Sequence, residues 1–127
     1  MEKLTRAHED YLEAIAMLGG TTTHAVRPVD VAEKLGVSKA SVTKTVAVLK
    51  EKQLVDQPRY GDITFTADGY EYGKAVLERH NLLFRFLARE VGIPEATANR
   101  EACLMEHAIS DESFVQWEKY LKKLEGR

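Results

Sequence analysis

The sequence predicts a mainly α-helical fold, with an N-terminal winged helix-turn-helix over residues 1–70 and a C-terminal helical domain over 71–127. Three observations predict it. A short helical pattern closed by glycine runs straight into a second helix whose first turns carry lysine and hydroxyl side chains. Two short β-prone runs around a turn with proline and glycine follow at once, in the position of a wing. Beyond Thr66 the helical periodicity continues almost to the C-terminus.

Taken in order, "LTRAHEDYLEAIAML" places Tyr11, Leu12, Ile15 and Leu18 on one helical face, and Gly19-Gly20 ends the helix. "TTTHAVR" reads as a loop. Pro28 suits the first turn of a short helix, "PVDVAEKLG", closed by Gly36. Ser38 is the expected N-cap of "VSKASVTKTVAVLKEKQ", with Val42, Val46 and Leu49 as its buried stripe. The runs 54–57 and 63–65 flank the turn with Pro58 and Gly61. Thr66 can cap a long helix over about 67–90, ended by Gly92-Ile93-Pro94. "EATANREACLMEHAI" and, after Ser110, "DESFVQWEKYLKKLE" supply two more helices. The two domains meet inside the long helix, near residue 70.

The 127 residues, 44% hydrophobic and 30% charged, suffice for one compact domain or two small ones sharing a core. No apolar run approaches the roughly 18 residues of a membrane helix, and no signal peptide precedes the first polar turn. One cysteine, Cys103, cannot form an internal disulfide. The expectation is a cytoplasmic protein with no membrane partner.

Formal net charge is -2, yet its distribution is uneven. From Lys34 to Arg59, six basic residues face two acidic ones, so this segment is +4 and the remainder -6. A basic module counts for more than the total when the partner is a polyanion. Lys39, Ser41, Thr43 and Lys44 lie on the early turns of the second helix of the pair, where they can meet phosphates and base edges in a major groove. Arg59 and Tyr60, at the wing tip, suit backbone or minor groove. The plain alternative is a solvated helix face.

"CLMEH" carries a second kind of signal. Cys103, Glu106 and His107 stand at i, i+3 and i+4, so their side chains share one helical face. The first helix offers Asp10 and Glu13 at i, i+3, and the long helix offers His80 among Val76, Leu77, Leu83 and Phe84. Packed together, these six would crowd carboxylates into one cavity, and one or two divalent cations would relieve the repulsion. Each has an ordinary reading on its own: a core cysteine, a hydrogen-bonded core histidine, two solvated carboxylates. His8 and His24 read as surface residues.

Leu104, Ile109, Phe114, Val115, Trp117 and Leu121 exceed what a helical tail of this size can bury alone, which predicts a homodimer through the C-terminal helices. No HExxH, P-loop or nucleophile motif is present, so the expected role is not enzymatic.

The order of "HEDYLEAIAML", "VAEKLGVSKASVTKTVAVLKEKQLV", "FTADGYEYGKAVLERHNLLFRFL" and "EACLMEHAISDE" resembles the diphtheria toxin repressor family, more closely its short manganese transport regulator branch. The resemblance covers nearly the whole chain, and "RH-x-LL-x-x-FL" and "EH-x-x-S" are its most specific parts. It implies a homodimeric, metal-activated transcriptional repressor that controls divalent metal homeostasis. The winged helix would bind a palindromic double-stranded operator, and the C-terminal helices would dimerise. Ala40 stands where many members have proline. Asp10, Glu13, His80, Glu106 and His107 match ligand positions of the manganese branch. Cys103 departs from it, because that branch has glutamate there and iron-type members have cysteine. Phe84 and Asn99 occupy two positions of the longer members' ancillary site, which implies that this site is absent. Five oxygen and nitrogen ligands outnumber one sulfur, which favours Mn²⁺ over Fe²⁺. The alternative is a winged-helix regulator that answers an organic ligand or a partner protein.

Overall fold

Thr5 starts the first helix, its hydroxyl accepting the His8 N–H, and α1 then runs Arg6–Met17. The computed structural model describes residues 4–59 and 61–126. Tyr11, Leu12 and Ile15 are buried along one face of α1, as the 3.6-residue spacing demands. Pro28 opens α2 (Pro28–Leu35), and Gly36 closes it with φ 66°, a left-handed C-cap that costs glycine nothing. The Ser38 hydroxyl accepts the Ser41 N–H and begins α3 (Lys39–Glu51), which buries Val42, Val46 and Leu49. Helices α1, α2 and α3 pack around these residues.

The wing is shorter than the sequence suggests. Its strands are β1 (Val55–Asp56) and β2 (Thr64–Phe65), antiparallel, with Val55 opposite Phe65. The chain before α2 joins them: Val26 and Ile63 exchange backbone hydrogen bonds of 2.8 Å in an antiparallel bridge. The segment read as a plain loop therefore ends in a third extended contact, and it buries Val26.

Thr66 ties the wing to α4 (Ala67–Arg85). Its hydroxyl donates to Gln53 O at 2.7 Å and accepts the Gly69 N–H at 3.0 Å. A Cβ on Gly69 would fall 1.6 Å from Leu54 O, and one on Gly73 would fall 2.9 Å from the Phe65 ring. Only glycine at these i, i+4 positions lets the helix start lie flat on the wing.

Two compact units result, Met1–Leu77 and Glu78–Arg127. The division between these compact units falls inside α4, after Leu77, and the Gly69–Gly73 turn packs with the first unit. The helix expected to continue to residue 90 changes winding: Phe86–Val91 form a π-helical turn, closed by Gly92 at φ 87°. Ile93 N–H donates to Leu87 O at 2.9 Å, which seals that end.

In the second unit, α5 (Glu95–Ala108) and α6 (Asp111–Glu125) follow. Ala98 and Ala102 let α5 approach a core of Leu82, Leu83, Leu87, Phe114 and Leu121. The Ser110 hydroxyl caps α6 by accepting the Ser113 N–H. Arg85 is hydrogen-bonded to Glu125, and that bond holds the Glu125 carboxyl below the usual carboxylate range. Among the described residues no helix is long and apolar enough to cross a membrane.

Candidate metal centre and nucleic-acid interface

In the second unit the face anticipated from "CLMEH" exists. One donor atom each of Cys103, Glu106 and His107 lies within 4.8 Å of the other two on α5. His80, on α4 and only 3% exposed, brings its ring to the same carboxylate. His80 Nδ1 lies 3.7 Å from Glu106 Oε1, and His107 Nε2 lies 3.5 Å from that same oxygen. Glu106 is 4% exposed, and among the described residues neither of its carboxylate oxygens receives a hydrogen bond.

That is an expensive arrangement for a carboxylate. A buried carboxyl group without hydrogen bonds costs several kcal/mol in either protonation state. Cys103 and His107 group with this carboxylate on one side and His80 approaches it separately, and donors of these types suit a divalent cation. The residues fit such an ion on their own chemistry.

The supporting frame is built from Arg79, the neighbour of His80 on α4. Its guanidinium donates to Asp111 Oδ1 at 2.7 Å, to Ile109 O at 2.9 Å and to Glu106 O at 3.2 Å. It also lies 4.4 Å from the centre of the Phe114 ring. One cation thereby holds the carboxyl end of α5, where Glu106 and His107 sit, against the start of α6. The sequence reading did not single out Arg79. Its only signal was adjacency to His80 in the "RH" pair.

Asn99 also went unassigned as a contributor. Its side-chain oxygen lies 2.7 Å from His80 Nε2. Its spacing to Cys103 and Glu106, i+4 and i+7, was visible in the sequence, but nothing there tied it to His80.

In the first unit, Asp10 and Glu13 stand one turn apart on α1, Asp10 half-buried and Glu13 buried. Glu9 beside them is buried too, and accepts a hydrogen bond from the Tyr72 hydroxyl at 2.8 Å.

The expected nucleic-acid surface is also in the first unit. Lys39, Ala40, Ser41, Thr43 and Lys44 are all exposed on the first turns of α3. Thr43 donates its hydroxyl proton to Lys39 O at 3.1 Å, and Ser41 accepts from the Ser38 hydroxyl at 3.0 Å. Thr43 is thus left to present acceptor lone pairs and a methyl group rather than a donor. Arg59 is exposed in the wing loop, and Tyr60 lies outside the described residues. Lys50 has another use: its ammonium donates to Gln57 O at 2.9 Å, fastening the wing to α3.

Comparison with known proteins also divides the chain in two, at the end of the wing rather than inside α4. Residues 3–63 match the iron-dependent repressor N-terminal DNA-binding domain, and residues 66–126 match the iron-dependent repressor metal-binding and dimerisation domain. An uncharacterised helix-turn-helix transcriptional regulator of Methanocaldococcus jannaschii is 30% identical over 124 residues, covering 98% of this chain and 99% of its own. The helix-turn-helix transcriptional regulator MntR of Bacillus subtilis is 36% identical over 106 residues, 84% of this chain and 73% of its own. A solved manganese-dependent transcriptional repressor in complex with manganese superposes with a TM-score of 0.78 at 31% identity, over 91% of this chain. This chain spans 52% of that structure's chain.

Proposed function

We propose that this chain, which belongs to the iron-dependent repressor family, is a metal-activated DNA-binding repressor of transcription that controls divalent metal homeostasis. The observation that carries the reading is Glu106: a buried carboxylate with no hydrogen bond, facing two imidazoles, in a chain that also exposes a lysine-bearing recognition helix. A buried cluster of that kind has no use in DNA contact and every use in holding a cation.

The reading assigns His80, Cys103, Glu106 and His107 to the ligand set, and adds Asp10 and Glu13 of α1. The family pattern and the residue types support the last two. A divalent cation bound there supplies the positive charge that these carboxylates otherwise lack, and one or two ions satisfy six ligands. Three carboxylates and two imidazoles against one thiolate favour Mn²⁺, with Fe²⁺ next. Affinity alone would rank zinc above both, so ligand geometry must supply the selectivity.

On the DNA side, Lys39 and Lys44 neutralise phosphates while Ser41 and Thr43 reach base edges, with Ala40 exposed among them on the same turns. Arg59 and Tyr60 extend the contact from the wing. Two such modules in a homodimer, joined through the second unit, suit a palindromic operator with half-sites one helical turn apart, about 34 Å. Metal binding that pre-orders the protein would lower the ordering cost of binding DNA. A protein acting on chromosomal DNA in this way works in the cytoplasm, as a regulator rather than a catalyst.

Thermal melting tests this reading. Mn²⁺ at a hundred times its Kd should stabilise the protein by about 2.7 kcal/mol relative to chelator. No rise with any divalent ion would overturn it and leave the regulator of an organic ligand or partner protein.

A further inference from the structure

His80 is held from two sides. Its Nε2 is 2.7 Å from Asn99 Oδ1, while Nδ1 is the nitrogen that faces Glu106 Oε1 at 3.7 Å. An amide oxygen only accepts, so the bond to Asn99 requires the ring proton on Nε2. The lone pair is then on Nδ1, on the carboxylate side. A neutral imidazole left to itself divides its proton between the two nitrogens, and only one of the two tautomers can ligate from Nδ1.

We propose that Asn99 is a positioning residue of the metal centre: its side-chain oxygen fixes the His80 tautomer that presents Nδ1 to a divalent cation. The inference rests on the metal-centre reading above and deepens it. It also accounts for an otherwise odd feature of α5. Asn99, Cys103 and Glu106 share one helical face, so one helix provides both ligands and the hydrogen bond that orients a ligand of another helix. Position 99, which the sequence reading treated as a missing ligand, is an acceptor in this chain.

Asn99 is exposed, so water could take its place after truncation to alanine. The informative variants are therefore Asn99→Leu, which fills the space without an acceptor, and Asn99→Asp, which keeps the acceptor and adds charge. Ala96→Asp puts the same charge at an exposed position one turn earlier and controls for it. The experiment has two readouts. Nitrogen-15 NMR of the metal-free protein, at a pH where the ring is neutral, reports the His80 tautomer, its signals identified by their loss in His80→Gln. Calorimetric titration with Mn²⁺ reports affinity.

The wild type and Asn99→Asp should both carry the proton on Nε2, and Asn99→Leu should lose that preference. Mn²⁺ affinity should fall about tenfold in Asn99→Leu and rise in Asn99→Asp by more than in Ala96→Asp. A wild-type proton on Nδ1, or an Asn99→Leu affinity within about twofold of wild type, overturns the proposal while the metal centre stands. A wild type that takes no Mn²⁺ overturns the metal-centre reading and this one with it.

Discussion

His80 Nδ1 and Glu106 Oε1 face each other at 3.7 Å inside the second unit, and among the described residues none gives the carboxylate a hydrogen bond. The carboxylate is poorly satisfied as it stands, and that is the physical core of the metal reading. Glu106→Gln removes the carboxylate and offers amide protons to the two imidazole nitrogens. The variant should melt higher than wild type in chelator, by about 1 kcal/mol, and should lose the melting rise with Mn²⁺. Differential scanning calorimetry with and without the ion checks both halves. A variant less stable than wild type in chelator would show that the carboxylate is satisfied after all.

Cys103 separates a ligand from a packing residue. As a thiolate ligand it should give Co²⁺ an intense sulfur-to-metal charge-transfer band in the near ultraviolet, absent in Cys103→Ala. Cys103→Glu should restore an oxygen-rich set and move preference toward Mn²⁺ with DNA binding retained. A half-buried packing cysteine would give no such band, and Cys103→Ala would then cost only about 1 kcal/mol of stability.

Arg79 should matter to stability more than its position on a helix face suggests. Its fork holds Asp111 Oδ1 and two carbonyls at the α5–α6 corner. Arg79→Ala should cost about 3 kcal/mol, since the carbonyl ends lose a charged donor in a partly buried site. Arg79→Lys should recover part of that, because a point charge cannot make the three bonds of the planar fork. Urea denaturation in chelator checks the order wild type, lysine, alanine.

Lys44 should act on DNA alone. Lys44→Ala should weaken binding and lower the slope of log affinity against log salt by about one unit, with Mn²⁺ affinity unchanged. Equal slopes for variant and wild type would remove Lys44 from the interface.

Much of the fold was legible because it is written locally. Ser38, Thr66 and Ser110 each accept a backbone N–H three residues on, and Gly36 takes the left-handed conformation, all within a few residues of sequence. What escaped depends on distant partners. The Val26–Ile63 bridge joins segments separated by three elements, and the close approach at Gly69 is set by Leu54. The π-helical turn at Phe86–Val91 leaves no mark in the apolar spacing. For the site, residue types and their i, i+3, i+4 spacing selected Cys103, Glu106 and His107 correctly as neighbours. Spacing could not reveal that Glu106 lacks hydrogen bonds, or that Asn99 and Arg79 hold the group from outside, since those facts belong to packing between helices.

The central claim is that metal binding switches on DNA binding. The most direct measurement is affinity for the DNA upstream of the protein's own gene, by fluorescence anisotropy, in chelator and then with Mn²⁺, Fe²⁺, Co²⁺ and Zn²⁺ in turn. The account predicts tight, saturable binding with Mn²⁺ that weakens by about 100-fold in chelator, and loss of that difference in Glu106→Gln. Equal affinity with and without every ion would contradict it.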